Sequence, residues 1–182
     1  MRISLFFVVI RRRGKMKKIA ITLLLAAFAA PAIAGSFYVG VKTGWVEHDI
    51  PTSGYSEIVP TVGVFGGYAI NKFIAIEAES TNLGSIVADR VKITTRGINA
   101  VVSLPIEEQL SLFLKLGQAN TQENFQGVTA NRAGLTFGVG SQFYLNESMG
   151  LRFSWDHYSY GGEQGFHKGT ANLYTVGGML RF

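Results

Sequence analysis

Cysteine is absent from all 182 residues, which excludes disulfide staples and thiolate metal sites and leaves redox usage silent about compartment. Proline is scarce, with four residues against 22 glycines, a balance that fits tightly packed strands better than a disordered chain. A dominant charge is lacking as well, although the formal net charge of +5 suggests otherwise. Arg2, Arg11, Arg12, Arg13, Lys15, Lys17 and Lys18 supply seven of the seventeen basic residues, with no acid among them. From residue 35 onward ten basic residues face twelve acidic ones, a net charge of −2. No basic patch for nucleic acid survives that division. The remainder also has no apolar run of 18 residues or more, so no membrane helix is encoded there. If this part of the chain lies in a membrane, it must be a closed barrel, because lipid offers no partner for an open sheet edge.

The N-terminal segment accounts for the basic residues. Lys17 and Lys18 precede an apolar run over residues 19–30, followed by Pro31 and by Ala32, Ile33 and Ala34, a small-x-small site before Gly35. That is the order of a cleavable secretory signal peptide, and the run is too short to span a bilayer as a helix. Residues 1–34 are therefore expected to be removed after Ala34, leaving one domain over residues 35–182. Residues 1–15 place an apolar stretch ahead of Arg11 to Arg13 and read as an over-extended gene model, with Met16 as the start.

The remainder alternates with period two, the mark of strands whose successive side chains face opposite sides. Eight segments emerge, over residues 36–46, 61–70, 73–81, 93–104, 110–118, 132–145, 150–160 and 173–182. The fifth is the most regular: Leu110, Leu112, Leu114 and Leu116 face one way, Ser111, Phe113, Lys115 and Gly117 the other. Connections alternate long and short, the long ones covering residues 47–60, 82–92, 119–131 and 161–169. Even strand number, alternating connections and both termini on the short-turn side predict an all-β, eight-stranded antiparallel up-and-down transmembrane barrel. Its inward face collects Lys42, Glu77, Glu79, Lys115, Arg132, Arg152, Asp156 and Arg181. Lipid would exact about 2 to 4 kcal/mol for each Lys or Arg near its midplane, so these groups are assigned to a lumen. Phe37, Tyr68, Tyr144 and Phe182 near one edge, with Trp45, Trp155 and Tyr174 near the other, are expected to form interfacial girdles.

The last segment carries Tyr174, Val176, Gly178, Leu180 and the terminal Phe182 on one face. This terminus resembles the signal that the barrel-assembly machinery reads in porin-like outer-membrane proteins. Residues 37–45, Gly63-Val64-Phe65-Gly66-Gly67-Tyr68, Glu77 ahead of Leu83-Gly84, and Gly150-Leu151-Arg152-Phe153-Ser154-Trp155 resemble the transmembrane domain of the outer membrane protein A family and its small-barrel relatives. The resemblance implies a polar, largely occluded lumen in which crossed acid-base pairs act as a plug. By motif position Glu77 and Arg152 correspond to one pair, while the second falls on Ser103 and Gln142, neither ionic; Lys42 and Lys115 match further lumen cations. It also implies outer-membrane lipids, lipopolysaccharide and the assembly machinery as partners, with periplasmic termini. The chain ends at Phe182, without the peptidoglycan-binding domain of full-length family members.

Enzymatic readings rest on less. His157 and Ser159, two apart on one strand face, could serve as base and nucleophile, and resemble the His-x-Ser of outer-membrane lipid A deacylases. That family orients its His with an acid on the next strand, and residues 170–182 contain no carboxylate. Glu47, His48, Asp49 and His167 could meet at the loop end around a metal. Neither carries the assignment, so no catalytic residue, metal or cofactor is expected. The expected function is a non-enzymatic outer-membrane barrel with a structural or surface-interaction role, such as adhesion or host contact, through four extracellular loops. The alternatives are a small ion-conducting pore and a deacylase-like enzyme.

Overall fold

The computed structural model describes residues 35–50, 55–86, 91–125, 128–160 and 169–182; the expected signal peptide and residues 161–168 fall outside them. Eight strands, β1 (Ser36–Ile50), β2 (Tyr55–Ala69), β3 (Ile74–Ile86), β4 (Val91–Pro105), β5 (Leu110–Phe125), β6 (Val128–Tyr144), β7 (Met149–Tyr160) and β8 (Gly169–Arg181), pair in sequence order. The sheet closes where β8 pairs antiparallel with β1. Closure removes both edges, so every strand has two hydrogen-bonding neighbours.

The strands run past the boundaries that alternation alone predicts. Residues 47–60 are read as a loop from their polarity, yet Glu47 pairs with Ile58 and the ladder continues to Ile50 opposite Tyr55. The third long connection behaves alike, with β5 and β6 in register out to Phe125 opposite Val128. Backbone hydrogen bonds need no apolar side chain, so the wall continues where the sequence turns polar, and its in-out alternation continues with it, His48 and Val59 inside and Asp49 and Ile58 outside. Two of the three short turns are built on asparagine: Asn71 Oδ1 accepts from the amides of Phe73 (2.8 Å) and Ile74 (2.9 Å), and Asn146 Oδ1 from those of Ser148 (2.9 Å) and Met149 (2.8 Å). In β3 the register shifts between Asn82 and Ser85, and Gly84 occupies φ +83° there. Only glycine takes that backbone freely, and a Cβ would lie 2.5 Å from Val59 Cγ2.

The register fixes the barrel's shape. Partners followed round the sheet from Phe37 through Tyr68, Ile76, Ala100, Leu116, Phe137, His157 and Asn172 return to β1 at Glu47, a shear of 47 − 37 = 10. Eight strands with that stagger tilt by about 40° and enclose only enough room for side chains. Each step from one strand to the next therefore climbs 10/8, or 1.25 residues, toward the long-loop end.

By that count the interior is stacked in three layers. Tyr38, Phe65, Ala75, Val101, Phe113 and Met179 form an apolar cluster toward the short turns. Val46, Val59, Leu83, Ile93, Ala119, Tyr158, Ala171 and Leu173 form another toward the long loops. Between them lie the charged side chains. The outer wall is the reverse of a soluble surface: Phe37, Val41, Ile98, Leu116 and Leu135 are 61–72% exposed, within a continuous apolar band. Water would penalise a patch of that size, so its solvent is lipid.

Candidate functional site, an ionic layer inside the barrel

Alternation puts Lys42 of β1, Glu77 and Glu79 of β3, Lys115 of β5, and Arg152 and Asp156 of β7 on the inner face, and closure brings them together. All six are at most 5% exposed, three cations with three carboxylates. Arg152 NH1 donates to Glu77 Oε2 at 2.5 Å, and Tyr38 donates to the same oxygen at 2.9 Å. Lys115 Nζ lies 3.0 Å from Glu79, 2.8 Å from Asp156 and 3.9 Å from Glu77. Lys42 Nζ donates to Glu79 Oε2 at 2.8 Å and sits 3.5 Å from Asp156. Tyr158 completes Glu79 with a 2.6 Å bond to Oε1. No carboxylate lacks a cation, as burial in a low dielectric requires.

Arg152 is also held by its faces. Its guanidinium carbon stands 4.6 Å from the centroid of Phe65 and 4.3 Å from that of Phe113, inward residues of β2 and β5. Gly140 makes this possible, since a Cβ there would lie 2.5 Å from Phe113 Cζ. The void remaining among Lys42, Glu77, Glu79, Lys115 and Arg152 is about 10 Å³, at the lower limit for one water molecule.

The motif position of a second pair does not form one. Ser103 lines a separate vestibule of about 470 Å³ at the short-turn end. Gln142, with its amide oxygen facing the guanidinium, accepts from Arg152 NH2 at 3.1 Å and Nε at 3.3 Å and donates to the Tyr144 hydroxyl at 2.8 Å. The structure thus adds Gln142 to the first pair, while Lys42, Lys115, Glu79 and Asp156 form the second ionic group. Of the remaining inward charges, Arg132 pairs with Glu123 at 3.5 Å above the apolar layer, and Arg181 Nε donates to Ser36 Oγ at 2.9 Å in the lower rim. Tyr38, Phe65 and Tyr158 join the site without an ionic side chain to mark them in the sequence, although Tyr38 shares its strand face with Lys42 and Tyr158 with Asp156. Tyr144 corrects the girdle assignment: it packs inward against the lower cluster, because it shares the even-numbered face of β6 with Gln142.

On the outer wall Tyr174, Val176 and Leu180 are exposed, and Phe182, 74% exposed, is tied by its amide to Phe37 O at 2.9 Å. Trp45 stacks near Tyr174 with centroids 6.3 Å apart, and Trp155 meets Phe137 edge-on at 5.3 Å. His157 faces outward with them. Its Nδ1 lies 2.8 Å from Asn172 Oδ1, and its Nε2 lies 3.4 Å from Ser159 Oγ. An amide thus stands where the deacylase comparison requires an acid. Asn172 is simply the cross-strand partner of His157, and a neutral amide orients an imidazole without offsetting its positive charge. The proposed metal cluster is taken apart by the pleat: His48 is fully buried and bonded to Leu83 O at 2.9 Å, whereas Glu47 and Asp49 point outward, and His167 is outside the described residues. Among the described residues no group of three His, Cys, Asp or Glu side chains converges to hold a metal.

These features can be set beside known proteins. The model of the outer membrane protein beta-barrel domain matches residues 20–182. Outer membrane protein A of Shigella flexneri is 32% identical over 133 residues, covering 62% of this chain and 38% of that protein, and that of Salmonella typhi is 30% identical over 142 residues with the same coverage. The chain thus spans about two-fifths of the length of these relatives. Among solved structures, neisserial surface protein A superposes with a TM-score of 0.68 at 15% identity, covering 80% of this chain and 97% of that one. Ail of Yersinia pestis, in complex with the heparin analogue sucrose octasulfate, gives 0.55 at 16% identity, with 81% and 99% covered. Both likenesses are of fold. Taken with the closed barrel and its apolar outer band, the match over most of the sequence shows that this chain belongs to the outer membrane protein beta-barrel family.

Proposed function

We propose that the chain is a non-enzymatic outer-membrane barrel with an occluded lumen, both termini periplasmic, serving as a structural element and a surface-interaction module through its four long connections. The observation that carries the reading is the neutral six-charge layer sealed between two apolar layers, with a void near 10 Å³. A hydrated ion needs a wider path than that, and each charge lining it is already bound to a partner. The purified full chain in a planar bilayer is expected to show no sustained conductance; steady channel openings would overturn the occluded lumen and favour a pore.

The surface role rests on the long connections at residues 47–60, 82–92, 119–131 and 161–169, in the parts that lie beyond the upper apolar layer of Val59, Leu83 and Ala119. Ail, crystallised with a heparin analogue, suggests a sulfated glycan as a first probe. Trimming these connections to short turns while keeping Val59, Leu83 and Ala119 in place should abolish cell adhesion and leave a heat-modifiable barrel on gels. Adhesion that survives the swap would overturn the role. Lipopolysaccharide and the assembly machinery complete the proposed partners, the latter through Tyr174, Val176, Leu180 and Phe182. Unchanged lipid A acylation in cells with and without His157→Ala is the expected sign of a non-enzyme.

A further inference from the structure

The outer wall has an uneven upper rim. Three strand steps of 1.25 residues carry Arg96, by way of Val64 and Ser80, from the level of Val41 to that of Trp45, and six steps from Phe37 bring His157 there too. On the β7–β8–β1 side this level is aromatic, with Trp45 and Tyr174, and the residues above it on β1 are Glu47 and Asp49, pointing outward. On the β4–β5 side the same level carries Arg96, with Lys92 above it, both exposed on the outer face. Neither makes an ion pair or side-chain hydrogen bond among the described residues, although salt bridges exist elsewhere in the barrel. Their register partners on β5 are amides: Arg96 faces Asn120, Thr94 faces Gln122 and Lys92 faces Asn124. Directly below, Ile98 and Leu116 are 66% and 65% exposed.

We propose that this strip is a binding site for the diphosphorylated disaccharide of lipid A in the outer leaflet; the inference rests on the orientation proposed above. Acyl chains would lie on Ile98 and Leu116, sugar hydroxyls would meet the Asn120 and Gln122 amides, and one phosphate would pair with each cation. Four residues of strand separate Arg96 from Lys92, about 13 Å, the kind of span that a disaccharide phosphorylated at both ends bridges and a single glycerophospholipid headgroup does not. Cations at this height are cheap in an interface and attract anionic headgroups, whereas Glu47 and Asp49 repel them on the opposite side.

The test uses the full chain folded in zwitterionic detergent and fluorescent lipid A carrying two, one or no phosphates. Arg96→Gln and Lys92→Gln are each expected to weaken binding of the diphosphorylated form about fivefold, and the double variant correspondingly more. The difference should vanish with the phosphate-free form, and phosphatidylglycerol should compete poorly. Wild-type affinity in the double variant, an equal loss toward phosphate-free lipid A, or equal competition by phosphatidylglycerol would overturn the site. Heat-modifiable mobility on gels verifies folding of every variant. Because the chain has no cysteine, Thr129→Cys gives a single label at an exposed position on the loop end. Labelling of intact cells by an impermeant maleimide supports the orientation. Absence of labelling in a folded barrel that still binds would overturn the orientation, and with it the outer-leaflet assignment, while leaving the phosphate chemistry intact.

Discussion

The middle of the lumen and its upper end use the same kinds of side chain to different ends. In the middle layer Glu77 is gripped by Arg152 at 2.5 Å and by Tyr38 at 2.9 Å, with no exposure to solvent. At the upper end of the lumen Glu123 faces Arg132 at 3.5 Å, with side chains 16% and 11% exposed. The first pair cannot be separated without stranding a charge where nothing replaces its partner. The second lies closer to water and can exchange its partner at a lower cost. What a salt bridge contributes is thus set by the layer that surrounds it rather than by the residues that form it.

The sharpest way to break the comparison is Glu77→Ala, which leaves Arg152 buried without its carboxylate. Urea unfolding of the barrel in lipid vesicles should show a loss of about 3 to 5 kcal/mol. Combining Glu77→Gln with Arg152→Met should return much of that loss, because the stranded charge is gone; a double variant as unstable as Glu77→Ala would mean that packing, not charge, dominates the layer. A charge placed on the lipid side of the same height, Leu114→Arg, is expected to cost about 2 to 4 kcal/mol in the same measurement, with no partner available to offset it. Gly84→Ala should cost about 1 to 3 kcal/mol through its left-handed backbone and the contact with Val59, without altering the ionic layer. Glu123→Gln should change stability by less than about 1 kcal/mol, and raising the salt concentration should erase even that. If Glu123→Gln proved as damaging as Glu77→Ala, the contrast between layers would fail.

Much of this was legible beforehand. Period-two alternation from Phe37 to Phe182 sorted Lys42, Glu77, Lys115 and Arg152 to one face, because a strand's pleat admits only two sides. The pairing among them was legible only in part. Alternation places Glu79 and Asp156 inward without saying which cation each meets, and the answer depends on a shear of ten that carries side chains from strands far apart in sequence to one height. Strand ends at residues 47–60 are not legible, because polarity signals a loop while the backbone ladder there is indifferent to polarity. Tyr144 was assigned to the lipid interface on residue type, although its even number on β6 already put it with Gln142. The orienting amide of His157 is hidden for a similar reason: a triad calls for a carboxylate, and Asn172 becomes its neighbour only through the β7–β8 register.

By itself, then, the order of residues determined that the chain forms eight strands, which side chains face lipid and which face inward, and that no membrane helix is encoded after residue 35. Those are local properties, fixed by a pleat repeating every two residues. Closure and stagger were decided only in three dimensions: the three interior layers, the clamp of Phe65 and Phe113 on Arg152, and the level at which Arg96 meets the rim. Hydrogen-bond register between strands distant in sequence is a collective choice, made by filling one narrow cylinder without a gap or an unpaired charge.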